Sequence, residues 1–237
     1  VAGLLVLWDI DYTLVEADGV GRRLYEMAFA ELYGRPLAIA PTEVSMAGRT
    51  DRAISMDVLR LAGVPDPRGE VGRFEAALTR LAPAVADLVA ATGRALPGAA
   101  AALTAIAALA GRAGPRQSVL TGNVRALAAA KLAPLGLAPL LNLDVGAYGD
   151  EHEVRAELVH LARRRSAAAY GRRFDGEGTV LVGDTPLDVH AAKATGARAV
   201  AVATGHFTAG QLAAAGADAV LADLTDTGQV LSAVLGR

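Results

Sequence analysis

Short runs rich in valine and leucine, uninterrupted by polar alternation, constrain this chain more than any other feature. They fall at Leu4–Trp8, Ser118–Leu120, Leu143–Val145, Thr179–Val182, Ala199–Val202 and Ala219–Leu221, and each reads as a strand. A strand wetted on one face alternates in polarity, whereas one covered on both faces does not, so these runs suit a parallel sheet between helical layers. Helical periods follow at 99–112, 124–135, 153–169, 186–195, 208–215 and 227–235. This alternation predicts an α/β fold with a doubly wound parallel sheet.

One gap breaks the alternation. Between Trp8 and Ser118 no convincing strand occurs, and Glu16–Tyr33, Arg52–Leu61 and Glu70–Ala91 are helical in period instead. Leu24, Met27, Ala28 and Leu32, for example, share one helix face. Residues 15–93 are therefore expected to be a helical cap inserted after the first strand, with 1–14 and 94–237 forming the α/β core. The chain crosses between these units twice, near Val15 and near Gly93–Pro97, which would let the cap move as a lid.

Composition narrows the function classes. In 237 residues, 53% are hydrophobic and 20% charged, enough to supply a buried core. A formal net charge of −2 gives no basis for a nucleic acid or an anionic membrane as partner. The absence of cysteine removes disulfides, thiolate metal sites and cysteine catalysis, and fits a reducing cytoplasm. The apolar opening lacks a basic leader and a cleavage site, and no apolar run reaches the ~18 residues of a spanning helix. A soluble, cytoplasmic monomer or homodimer is expected.

Three strands end in polar residues of a coherent kind. The first runs L-V-L-W-D-I-D-Y-T, placing Asp9 and Asp11 one residue apart with Thr13 beyond. The second runs S-V-L-T-G-N and supplies Thr121, Gly122 and Asn123. A later one runs V-L-V-G-D-T-P-L-D and supplies Asp184 and Asp188. In a parallel α/β sheet ligands bind outside the carboxyl ends of the strands. Each segment also has a purely structural reading. Asn123 can cap the next helix, Gly122 can relieve a turn, and Thr185-Pro186-Leu187-Asp188 suits a helix N-terminus. Those readings leave Asp9, Asp11 and Asp184 converging at one sheet edge, where three carboxylates repel unless a cation or protons neutralise them. Hard oxygen donors without sulfur point to Mg²⁺.

D-I-D-Y-T, L-T-G-N and V-G-D-T-P-L-D, in this order and with a helical insert after the first, resemble the haloacid dehalogenase-like superfamily. The similarity is to its phosphoglycolate-phosphatase-like branch, with Tyr12 standing where relatives commonly carry glycine. The resemblance implies a phosphatase for a small organic phosphomonoester that works through an aspartyl phosphate. On it, Asp9 is the nucleophile, and Asp11 protonates the leaving alkoxide and then activates water. The metal is held by Asp9, the Asp11 backbone carbonyl and Asp184, with Asp188 in support. Thr121 and nearby backbone N–H groups hold the phosphoryl oxygens, Gly122 lets that backbone approach, and the following helix N-terminus favours the anion. Alternatives are a phosphosugar mutase, a dehalogenase of the same fold, which lacks the second aspartate, or a binding protein without turnover.

The same resemblance implies a cation beside Asp9. Only two lysines exist, against 21 arginines. Lys193 is expected to be exposed, and Lys131 lies eight residues past Asn123, ~12 Å along a helix, which is long for its side chain to span. Arg155, in the first turn of the helix before Thr179–Val182, is the expected cation, with Lys131 as runner-up. In the cap, Arg49 of Gly48-Arg49-Thr50-Asp51 is the candidate to bind a second anionic group on the substrate. The four histidines have no paired metal spacing and are read as surface or structural.

Overall fold

The computed structural model describes residues 3–40, 42–111 and 114–237. Residue 112, the expected end of one helix, lies outside the described residues, as do 1, 2, 41 and 113. In chain order the elements begin with β1 (Leu5–Trp8), β2 (Val15–Glu16), α1 (Val20–Tyr33), α2 (Asp51–Leu61), α3 (Pro67–Arg80), α4 (Ala82–Thr92) and β3 (Arg94–Ala95). There follow α5 (Ala99–Ala108), β4 (Arg116–Val119), α6 (Arg125–Leu132), α7 (Arg155–Tyr170) and β5 (Thr179–Gly183). The chain closes with α8 (Pro186–Ala194), β6 (Arg198–Val202), α9 (Ala209–Ala214), β7 (Ala219–Leu221) and α10 (Thr227–Leu235).

The five-stranded sheet has the order β4-β1-β5-β6-β7, and every pairing in it is parallel. Leu5, opposite Arg116 on one side and Thr179 on the other, fixes the register of the centre. Successive β1 residues feed different layers, as strand geometry requires. Val6 and Trp8 pack with Leu103 and Ile106 of α5 and Val230 and Val234 of α10. Leu5 and Leu7 pack with Leu158 and Ala162 of α7, Val189 of α8 and Leu212 of α9. Both faces of the sheet are dry, which explains the unalternating runs.

Three expectations differ from the structure. Leu143–Val145 is a single 3₁₀ turn, its start capped by Asn142, which accepts a hydrogen bond from the Asp144 N–H. Only Ala147 beyond it bridges Leu120. The expected helix 70–91 is two helices, α3 and α4, because Pro83 has no N–H to continue the ladder and sits in the first turn of a new helix. The start at Glu16 also gives way to strand: Val15 and Glu16 pair antiparallel with Ala95 and Arg94, so the chain leaves and rejoins the sheet through one two-stranded ribbon.

Helices α1 to α4 lie between β2 and β3 and share an apolar cluster that includes Phe29, Phe74, Leu78 and Val89. Val124, Leu127 and Ala130, in and just before α6, belong to that cluster, while Ala128 and Leu132 of α6 face the sheet layer. This one helix therefore joins the insert to the sheet. Among the described residues, no helix is long and apolar enough to cross a membrane.

Candidate active site

The sheet switches direction at β1, whose neighbours β4 and β5 come later in the chain on either side, and a crevice opens at such a point. The Asp9 N–H donates to Val182 O at 2.8 Å and the Leu120 N–H donates to Trp8 O at 2.9 Å. These ladder bonds carry the ends of β1, β4 and β5 to one level and bring Asp9, Thr121 and Asp184 together. A cavity of about 420 Å³ opens there, lined by Asp9, Asp11, Thr121, Gly122, Asn123 and Asp184 below and by the inserted helices above.

Carboxylate oxygens of Asp9, Asp184 and Asp188 lie within 4.8 Å of one another, and all three residues are buried. Burial raises the Asp184 carboxyl to about 9, with the charges of Asp9 and Asp188 adding to the effect. Burial also pushes Asp9 up, although Arg155 acts in the opposite sense. Two buried carboxyls that hold protons so tightly are short of positive charge, and a hard divalent cation would supply it. Asp188 is differently placed. Its Oδ1 takes Arg155 Nη2 at 2.5 Å and its Oδ2 takes the Thr185 hydroxyl at 2.6 Å, within a capping box that starts α8. It steadies the cluster and has little donor capacity left for an ion.

Arg155 opens α7 and is only 7% exposed. Its Nη2 lies 3.1 Å from Asp9 Oδ1 and also donates to Leu120 O at 3.3 Å, while Nε is buried without a partner. Glu151, four residues earlier in the chain, pairs with Arg165.

Lys131 spans the distance that was expected to be long for its side chain. Its Nζ donates to Asp11 Oδ1 at 2.6 Å, Asp11 Oδ2 at 2.7 Å and Asn123 Oδ1 at 2.8 Å, which uses all three protons. The helix begins at Arg125, after an extended Val124, so the axial path is shorter than a count from Asn123 implies. A helical side chain also leans toward the N-terminus of its helix, here toward the site. Asn123 is likewise no helix cap. Its Nδ2 donates to Asp11 Oδ2 at 2.7 Å and to Thr121 Oγ1 at 2.8 Å. Thr121 also accepts from the Asn123 N–H at 3.3 Å, leaving the hydroxyl proton for another acceptor.

The insert meets the site through Gly48 to Arg52. The Asp51 N–H donates to Gly122 O at 2.7 Å, the Arg52 N–H to Gly149 O at 3.0 Å, and the Thr50 hydroxyl to Glu153 O at 3.0 Å. A Cβ on Gly122 would stand 1.9 Å from Arg49 O. Gly122 therefore admits the backbone of the insert, a different service from the approach to phosphate expected of it. Arg49 lines the cavity, but its guanidinium is bound to Asp57 at 2.7 Å and to the carbonyls of Ser45 and Ala53.

Several contributors escape a reading of strand ends. Asp51 is buried, accepts from the Val124 N–H at 2.8 Å and the Tyr25 hydroxyl at 2.8 Å, and burial raises it to about 6. The Thr-Asp pair opening a helix was its one sequence signal. His206 lines the cavity with its ring 4.7 Å from that of Tyr12. Tyr12 has φ +54°, a left-handed conformation that explains why glycine suits this position. Here the tyrosine is held by Thr204, whose hydroxyl donates to Tyr12 O, and by its own hydroxyl, which donates to Asp18 at 2.5 Å.

The family model described as haloacid dehalogenase-like hydrolase matches residues 6–193, and the chain belongs to that family. Among solved structures, a "predicted phosphatase" from Clostridium acetobutylicum superposes with a TM-score of 0.70 at 14% identity, covering 98% of this chain and 100% of its own. A "predicted phosphoglycolate phosphatase" from Haemophilus somnus gives 0.66 at 17% identity, covering 97% of each chain. A protein from Bacteroides vulgatus, named as a candidate β-phosphoglucomutase, gives 0.65 at 17% identity, covering 99% of this chain and 90% of its own. No curated protein matches.

Proposed function

We propose that the protein is a Mg²⁺-dependent phosphatase that hydrolyses an organic phosphomonoester through a phosphoryl group carried on Asp9. The observation that carries this reading is the pairing of two adjacent carboxylates with two separate buried cations, Asp9 with Arg155 and Asp11 with Lys131. A binding protein has no use for that division of labour. An enzyme that attacks with one carboxylate and moves a proton with the other needs it.

Asp9 Oδ attacks phosphorus as the ester bond to the leaving oxygen breaks. Arg155 beside it neutralises charge as the phosphoryl group arrives, and the Thr121 hydroxyl is available to a phosphoryl oxygen. Asp11 gives a proton to the departing alkoxide, then takes one from the water that cleaves the aspartyl phosphate. Both Asp11 oxygens accept hydrogen bonds here, the base form needed in the second step. The proton for the first step comes from the phosphate monoanion or from water, and the Lys131 ammonium, 2.6 Å away, holds Asp11 in position. Asp9, Asp184 and the Asp11 carbonyl would hold the Mg²⁺, which offsets phosphate charge when bound. The inserted helices serve as the cap that keeps bulk water from the site. The lack of cysteine supports a cytoplasmic setting.

A mutase must hold a second phosphate of its bisphosphate intermediate, and Arg49, the cap cation nearest that duty, is already bound to Asp57. Hydrolysis is the better supported outcome. Purified protein with Mg²⁺ is expected to release phosphate from p-nitrophenyl phosphate, to stop on addition of EDTA and to recover with excess Mg²⁺. Turnover that survives thorough chelation would remove the metal from the scheme.

A further inference from the structure

The cavity above the carboxylates carries information about the leaving group. At about 420 Å³ it falls within the ~300–1,000 Å³ range of pockets that enclose drug-sized ligands. A phosphoryl group with a two-carbon acid attached would leave most of that space unfilled. The part of the wall contributed by the insert includes Leu37, Ile39, Val44, Met46, Ile54 and Val58.

The lysine and arginine side chains around the cavity are already paired. Arg22 pairs with Glu26 at 2.9 Å and donates to Ile39 O. Arg49 is bound to Asp57 and two carbonyls, Lys131 to Asp11 and Asn123, and Arg155 to Asp9 and Asp188. Among the described residues, these four are the lysine and arginine side chains lining the cavity, and each has an anionic partner. Asp51 adds a further carboxyl to the wall, both oxygens engaged. A second anion on the substrate would have to compete with one of these partners and sit near Asp51. An apolar group would meet side chains that have no other use for the space.

We propose that the substrate is a phosphomonoester of an uncharged, largely apolar alcohol, longer than a two- or three-carbon metabolite and lacking a second anionic group. This rests on the phosphatase reading above. It narrows the leaving group and alters no step of the reaction.

A series of n-alkyl phosphates from ethyl to decyl, with phosphoglycolate and glucose 6-phosphate beside them, tests it on the unaltered protein with Mg²⁺. Fit to an apolar wall is expected to raise kcat/KM by about fourfold per methylene until the cavity is filled. Phosphoglycolate is expected to fall ~100-fold below the best alkyl ester, since its carboxylate would lose water without gaining a partner. Met46→Arg, which puts an unpaired cation on the wall, should move the ratio of octyl phosphate to phosphoglycolate at least tenfold toward the acid. If p-nitrophenyl phosphate is hydrolysed but phosphoglycolate or the sugar phosphate outruns every alkyl ester, the substrate class is wrong and the phosphatase stands. If no ester is hydrolysed, p-nitrophenyl phosphate included, both readings fall together. A ratio untouched by Met46→Arg would mean that this wall does not contact the leaving group, and would also overturn the proposal.

Discussion

At the sheet edge each catalytic candidate is held by several polar partners: Arg155 by Asp9, Asp188 and Leu120 O, and Asp11 by Lys131 and Asn123. Over the same cavity, the side chains of the insert are held mainly by apolar packing within one cluster. The two walls differ in how much a substitution can disturb. Hydrogen-bonded charges in a dry site have few acceptable arrangements, and loss of one partner strands the others. Apolar side chains of similar volume exchange at a cost below ~1.5 kcal/mol. Reaction geometry is thus fixed on one side of the cavity, while the other can change shape without moving it.

Substitutions at the sheet edge should therefore have the largest effects. Asp9→Asn removes the proposed nucleophile and is expected to lower kcat by at least roughly four orders of magnitude. No phosphorylated protein should be trapped on acid quench, and a variant that still accumulates it would place the nucleophile elsewhere. Arg155→Lys is expected to cost ~100-fold in kcat/KM, because a point charge cannot hold Asp9 and Asp188 as the planar guanidinium does. Arg155→Ala would in addition strand two buried carboxylates and lower stability by ~3–5 kcal/mol in urea melts. Burial of this side chain makes activity and stability change together.

The next effect is smaller and more selective. Lys131→Met keeps the volume and removes the charge that holds Asp11. Alkyl phosphates, whose leaving oxygen needs a proton, should slow by roughly 10²-fold, and p-nitrophenyl phosphate, whose leaving group does not, by much less. Equal losses on both would make Lys131 a structural support only.

The last effect concerns the seam between the walls and is read in stability alone. Asp51 has a folded pKa of about 6 against an ordinary 3.8, so the folded chain binds its proton more tightly than the unfolded one. Its contribution is fully present below the unfolded pKa and is lost as pH rises through about 6. Asp51→Asn, which can still bond both Val124 and Tyr25, should flatten the decline of unfolding free energy between pH 4 and 7 by up to ~3 kcal/mol. Parallel curves for the two proteins would mean that Asp51 titrates normally.

What could be read in advance follows the same division. The strands were legible because both faces are buried, and Asp9, Thr121 and Asp184 because each follows a strand that the sheet must align. Arg155 was legible as a cation at a helix start. Lys131 was misjudged because its reach depends on where α6 begins and how its side chain leans, neither of which a residue count contains. Asp51, Tyr25 and His206 reach the cavity only through docking of segments distant in sequence, and no local pattern records that contact. Leu143–Val145 was apolar enough for a strand, but asparagine, aspartate and glycine around it supply a turn.

The ribbon of Val15–Glu16 against Arg94–Ala95 has a consequence for ancestry. Outgoing and returning chain are zipped there, with Arg94 and Glu16 paired at 2.7 Å across the ladder. From the sheet, everything between looks like a hairpin tip, whatever its length. Closing a longer loop raises the entropic cost only logarithmically, by ~0.6 kcal/mol per doubling. Lineages could therefore exchange, shorten or elaborate the segment beyond the ribbon as a cassette, acquiring new substrates while the reacting carboxylates stay in place.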